Sequence, residues 1–416
     1  MTLLSIDEVE VGMHLSAQVV AANGRKLLPE GACLQKKHLE ILKSWGIMEV
    51  EIKDSSGTKE TERPPKFSEP ELKHAQKLLR PYFAKVNLKH QAMQRIFKLA
   101  IFNTANELRF NKKITDRRPD LREVRLLPNN KSLENFSKEK FLSKFRQQFQ
   151  FISLPDIYDQ ITYILNSPKC SAKHIAEVVN KDSSLSAKLL KLVNSPFYGF
   201  TKKVDTISRA ITLLGINKLS TLAQGIAVMR AFKDMPSEIL DMRSFWEHSL
   251  ACGLYARFLS EQSVDLSGER FFTAGFLHDL GKLLMLKIEP HIFTSLMQKS
   301  LQTKLSLREL EYRHLGFDHA ELTGMLCTEW NFARELTSML RWHHQPGRPH
   351  QTLGASILHL SDLMANAMGY GNSGNLFVPD MNDRAWQEIG FSENALNIID
   401  KQIKVQFEQI KHTFLN

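Results

Sequence analysis

The sequence predicts a mainly α-helical protein, an all-helical C-terminal domain preceded by a small α/β module and a helical hairpin. Three observations carry this expectation. From Phe151 onward nearly every segment repeats apolar residues at i, i+3 and i+4, as in "LPDIYDQITYIL", "SLSAKLLKLVN" and "FWEHSLACGLYARFLSEQ", the spacing that lines one face of a helix. Short alternating runs are confined to the first 53 residues. Between these regions lie a polar stretch rich in turn formers and a strongly basic segment.

Residues 1–53 read as the α/β module. "HLSAQVVAANGRKLL" places two short β runs around Asn23-Gly24, a hairpin signal. "LQKKHLEILKSWGI" has helical spacing and stops at Gly46, a natural C-cap. "IMEVEIK" then alternates as a strand. Residues 54–69 form a linker. Ser68 and Glu71 have capping-box spacing, so a helix starts there, and runs over about 70–84 and 88–110 make a hairpin across 70–110.

Residues 111–146 read as a basic, solvated connector. The stretch 112–149 holds eleven Lys/Arg, among them Lys112, Lys113, Arg117 and Arg118, against five acids, and supplies +6 of the net charge of +10. Residues 147–416 are the all-α domain with a C-terminal helical extension. No fixed-period repeat occurs, which argues against a solenoid. "HIAEVVNKDSSLSAKLLKLVN" has a helix–turn–helix look, but its second helix offers Lys188 and Lys191 and little to read base edges. It reads as an ordinary two-helix corner, and no nucleic-acid partner is expected. In "NSPFYGF", Pro196 ends a helix, and Phe197 and Tyr198 are expected to pack back onto the bundle.

Composition narrows the function classes. With 43% hydrophobic and 24% charged residues, the chain is an ordinary globular one. It has no apolar run of 18 residues, so no membrane-spanning helix is expected. "MTLLSIDEVEVG" carries acids where a signal peptide needs bases, and a cytoplasmic location is expected. Cys33, Cys170, Cys252 and Cys327 lie far apart without a C-x-x-C pair, which argues against a disulfide framework and a zinc ribbon. The net positive charge admits an anionic partner.

Nine of the fifteen histidines fall between positions 248 and 359. His248 stands in "FWEHSLACG", His278-Asp279 in "GFLHDLGK", His319 in "GFDHAELTG", His343-His344 in "LRWHHQPG" and Asp362 in "ILHLSDLMANAMG". Each motif alone fits a hydrogen-bonded core residue or a helix-end histidine. The ordered set fits a metal site more economically, because imidazole and carboxylate are the usual ligands of zinc, iron and manganese. On a continuous helix, His278 and Asp279 would point about 100° apart, so a shared site must lie between their directions. Asp279 could then bridge two cations, and Lys282 could meet a phosphate as a point charge. His291, His314, His350 and His359 read as structural or exposed.

These residues carry a resemblance. The order His248, His278-Asp279, Asp362 resembles the HD superfamily of metal-dependent phosphohydrolases. Residues from about 147 to 365 resemble the HDOD domain, an HD-related output domain of bacterial signalling proteins. "VNKDSSLSAKLLKLVNSPFYGF", "FFTAGFLHDLGKL" and "ELEYRHLGFDHAELTGMLCTEW" carry that resemblance. The first 53 residues are similar to the module that precedes many HD-GYP domains. The resemblance implies a helical fold, a signalling setting and a ligand set of His248, His278, Asp279, His319, His343, His344 and Asp362. It implies one or two ions of iron, manganese or zinc, with Asp279 and Lys282 as candidate catalytic residues. After His343-His344, however, "QPGRPHQ" replaces the acid and Gly-Tyr-Pro signature of HD-GYP proteins. The expected function is therefore a regulatory HDOD protein that relays a signal through a protein partner. The alternative is a phosphohydrolase acting on a nucleotide or cyclic dinucleotide.

Overall fold

A computed structural model describes residues 2–415 apart from 7–8, 21–25, 45–48, 54–66, 111–117, 119–120, 122–132, 134–135, 150–155, 195–197, 233–234, 237–238, 263–267, 348–352 and the single positions 166, 169, 199, 201 and 394. The expected Asn23-Gly24 tip, the Gly46 cap, Pro196, Phe197 and most of the linker and connector lie outside the described residues.

The N-terminal module contains β1 (Thr2–Ser5), β2 (Val19–Val20), β3 (Lys26–Leu28), α1 (Lys36–Ser44) and β4 (Glu49–Ile52). β1 pairs antiparallel with β4, Leu4 opposite Val50, and β2 pairs antiparallel with β3. Leu15, Leu34, Leu42, Val50 and Ile52 fill a small core of its own.

The hairpin follows as α2 (Glu69–Leu79), a 3-10 turn (Arg80–Phe83) and α3 (Gln91–Arg109). Its start is the expected capping box: the Ser68 amide donates to Glu71 Oε2 at 2.7 Å. Next comes α4 (Lys138–Phe149), largely within the segment read as a connector. Phe141 and Phe145 on this helix are buried in the main core, each burial stabilising by roughly 1.5–3 kcal/mol. Arg118, from the same basic stretch, is also buried. Its guanidinium bonds the carbonyls of Asn366 and Ala367. A basic side chain at the carbonyl end of a helix is favoured both by hydrogen bonding and by the helix dipole.

The rest is helical: α5 (Asp156–Leu165), α6 (Ala172–Asn180), α7 (Ser183–Val193), α8 (Ile207–Leu214), α9 (Ile216–Ala231), α10 (Met242–Glu261), α11 (Gly268–Leu277), α12 (Leu280–Ile288), α13 (Pro290–Thr303), α14 (Leu307–Leu315), α15 (His319–Glu329), α16 (Arg334–Trp342), α17 (Leu353–Met368), α18 (Asp383–Ile389) and α19 (Ala395–Phe414). Side-chain N-caps set many of the starts, as Asp182 does for α7, Ser306 for α14 and Asp318 for α15. After α7, Asn194 clips the following loop by a pair of 2.6 Å bonds with the Val204 backbone. Tyr198 lies under the Arg257 guanidinium at 4.5 Å.

Two helices organise the site. α10 and α17 are buried nearly all round, as expected of central helices, and they pack on each other and on α11. Close approach is bought with glycine. A Cβ at Gly275 would lie 2.6 Å from the Cys252 carbonyl oxygen, so α11 can meet α10 only with glycine there. Among the described residues no helix is long and apolar enough to cross a membrane.

Candidate metal centre

His278 and Asp279 do not lie on one continuous helix. α11 ends at Leu277 and α12 begins at Leu280, with Asp279 as its N-cap residue at φ −99°, ψ 10°. This break turns both side chains inward. Gly281 explains the last part of "HDLGK": a Cβ there would stand 1.9 Å from the His319 carbonyl oxygen. The Gly281 amide instead donates to Thr323 Oγ1 at 2.8 Å, and that hydroxyl's one proton is shared between the His319 carbonyl at 2.9 Å and the His278 carbonyl at 3.1 Å. The break and the start of α15 are thus locked together.

The structure brings the eight sequence-predicted site residues together. His248 comes from α10, His278-Asp279 from the α11–α12 break, Lys282 from α12 and His319 from the start of α15. His343-His344 follow α16, and Asp362 comes from α17. One donor group comprises His248, His278, Asp279 and Asp362; a second comprises His319, His343 and His344. Within each, the donor atoms lie within 4.8 Å of one another. His248 Nε2 is 3.1 Å from Asp362 Oδ1 and 3.7 Å from Asp279 Oδ2. His278 Nε2 is 3.2 Å from Asp279 Oδ2 and 3.4 Å from Asp362 Oδ1. Asp279 joins the groups, because its other oxygen, Oδ1, is 3.2 Å from His319 Nε2. His344 and His319 face each other, Nε2 to Nε2, at 2.7 Å.

The supporting contacts orient the imidazoles. His278 Nδ1 bonds the Gly275 carbonyl and His343 Nδ1 the Leu340 carbonyl, both at 2.7 Å. His319 Nδ1 meets Glu311 Oε2 at 2.6 Å. In all three rings Nδ1 is committed to a protein acceptor and Nε2 is turned toward the cluster. That is how metal-ligating histidines are held. His278 Nε2, His343 Nε2 and Asp279 Oδ1 are buried without an aligned hydrogen bond among the described residues. Such atoms are costly unless something satisfies them. The donor set and its orphaned atoms therefore fit divalent cations.

The electrostatics agree. Burial works against ionising Asp279, but His278 and Lys282 outweigh it and hold the carboxyl well below its usual range. Asp362 is likewise held low, against its burial, by His248 and His278. Burial alone would lower His319, yet Glu311 and Asp279 raise it to about 9. Burial lowers His343 to about 3 and His344 well below its usual value, so both are neutral imidazoles. Burial works against charging His278, but Asp279 outweighs it and holds the imidazole well above its usual value.

Lys282 departs from the expected phosphate contact. Its ammonium is fully buried and ends on Asp279 Oδ2 at 2.7 Å and Ser373 Oγ at 3.1 Å. It neutralises and positions Asp279. Sequence reasoning missed Glu311, Asn366 and Ser373. Asn366 donates to Asp362 Oδ1 at 2.7 Å. Glu311 carried a readable signal, being one turn beyond Leu307 and next to Leu310 on an apolar helix face. His359 is structural, as expected: it joins the His343 carbonyl at 3.1 Å and accepts from the Asn382 amide at 3.0 Å.

A cavity of about 560 Å³ opens onto the cluster. His344 and Asp362 form part of its wall, with Lys85, Lys304, Arg308 and Arg313 around them.

Comparison with known proteins agrees with this architecture. Residues 151–346 match the HDOD domain. Over 201 residues the chain is 24% identical to an uncharacterized protein of Treponema pallidum, a match covering 48% of this chain and 38% of that relative's length. Crystal structures with the same fold include an HDOD domain protein of unknown function from Geobacter sulfurreducens (TM-score 0.54, 22% identity, 67% of this chain and all of that one). A Shewanella amazonensis protein named by inference as a phosphohydrolase gives a TM-score of 0.52 at 21% identity, over 65% of this chain and 98% of its own. A Marinobacter aquaeolei protein named by inference for signal transduction gives 0.51 at 18% identity, over 71% and 69%. The helical architecture, the ordered His/Asp motifs and the family match together identify residues 151–346 as an HDOD domain.

Proposed function

We propose that this HDOD protein is a metal-dependent phosphohydrolase in a signalling setting. The observation that carries the reading is the position of Asp279, one carboxylate oxygen facing His248 and His278 and the other facing His319. His248, His278, Asp279 and Asp362 would hold one cation; His319, His343, His344 and Asp279 would hold a second. Bound there, two divalent cations supply Lewis acidity toward phosphate oxygens and a nucleophilic water near neutral pH. Iron, manganese and zinc all suit mixed imidazole and carboxylate donors.

The chain's own residues do the rest. Lys282, itself held by Ser373, fixes Asp279, Asn366 fixes Asp362, and Glu311 fixes His319. The cationic side chains of the cavity attract an anionic ester toward His344 on its wall. Hydrolysis adds water across one ester P–O bond: the water oxygen bonds to phosphorus, and the leaving oxygen departs as an alcohol with a proton.

A second reading, a binding module that relays a signal to a protein partner without turnover, has one observation in its favour. Lys282 already occupies one acceptor position of Asp279 Oδ2, and of the seven proposed ligands only His344 and Asp362 reach the cavity wall. The test is to strip the protein with chelator, reload it with Mn²⁺ or Fe²⁺, and assay bis(p-nitrophenyl) phosphate and nucleotides. Metal-dependent turnover that disappears in His278→Ala/Asp279→Ala, with the helical circular dichroism retained, supports hydrolysis. Bound metal without turnover on any phosphoester favours the relay module.

A further inference from the structure

We infer that the site takes a phosphodiester longer than a mononucleotide: a short single-stranded oligonucleotide whose further phosphates lie along a basic groove on the helical hairpin. The inference deepens the phosphohydrolase reading and rests on it for the position of the cleaved ester.

The cavity over the cluster does not end at its own rim. Lys304, on its wall, also lines an open groove of about 660 Å³ with Lys73, Lys77 and Arg80. No acidic residue lines that groove among the described residues. Lys73, Lys77 and Arg80 follow one another at i, i+4 and i+7, a run of about 10 Å at 1.5 Å per residue, enough for a few phosphates. Lys73 pairs with Glu69, Arg308 with Asp318, and Arg313 with Glu309. Lys77, Arg80, Lys85 and Lys304 are exposed and make no side-chain ion pair among the described residues. These four cations run from the hairpin to the cavity.

The acids Glu309, Asp362 and Asp380 also line the cavity, so its cationic surplus is small. The groove's surplus is not offset in this way. A mononucleotide in the cavity would leave Lys77 and Arg80 unused, whereas a chain of phosphates would engage them. Tyr312 stands 49% exposed on the cavity wall near Phe377, and an aromatic face beside a cationic track is how single-stranded nucleic acid is held without base-edge readout. Lys304 occupies the left-handed region, φ 59°, at the C-cap of α13, a position that favours glycine. A lysine there accepts backbone strain and brings a cation to the junction of cavity and groove. The hairpin is fixed against the C-terminal extension by the Val378 amide on the Tyr82 carbonyl at 2.8 Å and the Asn87 amide on Asp380 at 3.2 Å. The groove is therefore a built part of the approach to the cluster, supplied largely by residues before the HDOD domain.

The test uses the full chain loaded with Mn²⁺ and a fluorescein-labelled five-nucleotide oligothymidylate with phosphorothioate linkages. Anisotropy should report binding at least tenfold tighter than that of thymidine monophosphate. Affinity should fall with salt at a log–log slope of about −0.7 per phosphate contacted. Lys77→Glu/Arg80→Glu should abolish the preference and leave the monophosphate affinity unchanged, with unaltered circular dichroism. The inference is overturned if the oligonucleotide binds no better than the monophosphate, if the variant keeps the preference, or if a duplex binds as tightly as the single strand. Because anisotropy reads binding of a cleavage-resistant probe, groove-dependent binding supports this inference whatever the turnover assay gives; absence of turnover on bis(p-nitrophenyl) phosphate and nucleotides counts against the phosphohydrolase reading alone.

Discussion

The two halves of the candidate metal centre are built from different chemistry. Around His248 and His278 stand two carboxylates, Asp279 and Asp362, both deprotonated and both restrained by neighbours. Among His319, His343 and His344 the donors are all imidazoles, and the carboxylate oxygen nearest their Nε2 side is Oδ1 of Asp279, while Glu311 holds His319 from its Nδ1 side. A divalent cation in the first half would meet two formal negative charges; one in the second half would share a charge with its neighbour. The first half should bind tightly on its own. The second should depend on the bridge and on Glu311, which sits behind His319. On the proposed reading, Asp279 would decide whether the centre holds two ions or none.

The largest expected effect follows from removing that bridge. Asp279→Ala should lose both metal equivalents and reduce phosphoester turnover to background. It also leaves Lys282 buried and unpaired, at a cost of about 3–5 kcal/mol in chemical denaturation. Asp279→Ala/Lys282→Met should recover most of that stability without recovering metal. If the double variant is no more stable than the single one, Lys282 is not held by Asp279 as described.

Gly281→Ala should come next. The added methyl meets the His319 carbonyl oxygen, and relieving such an overlap costs about 1–3 kcal/mol. Since α12 and the start of α15 must separate, the imidazole half should lose occupancy first. Equal loss from both halves in a manganese titration would contradict that order.

Glu311→Gln sharpens the comparison further. Weakening the carboxylate behind a ligating histidine lowers metal affinity about 10–100-fold. Calorimetry with Mn²⁺ should show one weakened and one unchanged binding phase. Two equally weakened phases would mean that the halves are not separable.

The smallest effect is a control far from the cluster. The Arg109 guanidinium, with help from Ser68, lowers the exposed Glu71 to about 2 from an ordinary 4.5. A carboxylate depressed in the folded state stabilises above its unfolded value, and that contribution is lost as pH falls through the folded value. Arg109→Gln should therefore lower the thermal midpoint slightly at neutral pH. The difference from wild type should shrink between pH 4.5 and 2, while metal content at neutral pH stays unchanged.

Much of this was legible in the sequence because it is local. Helical periodicity marks the long helices, and Ser68 and Glu71 announce the start of α2. The short motifs name all seven proposed ligands, although no single motif says that they converge. Long-range features were not legible. The apolar run through "FTAGFLHDLGKLLML" continues across the break at His278-Asp279, so period alone reads one helix where there are two. The apolar face that carries Glu311 marks it as a buried acid, but only the packing of α14 near His319 gives it a role. Arg118, Phe141 and Phe145 sit in a stretch whose net charge suggests solvent, yet all three are buried. Charge averaged over a segment does not reveal which individual side chains find partners.

The most direct test of the central claim is the metal content of protein purified without chelator, measured by elemental analysis beside His278→Ala/Asp279→Ala. The account predicts about two equivalents of iron, manganese or zinc in the wild type and essentially none in the variant, with the same helical circular dichroism. Wild-type protein that holds no metal even after reconstitution would contradict it, and the histidines and aspartates would then be a hydrogen-bonded core.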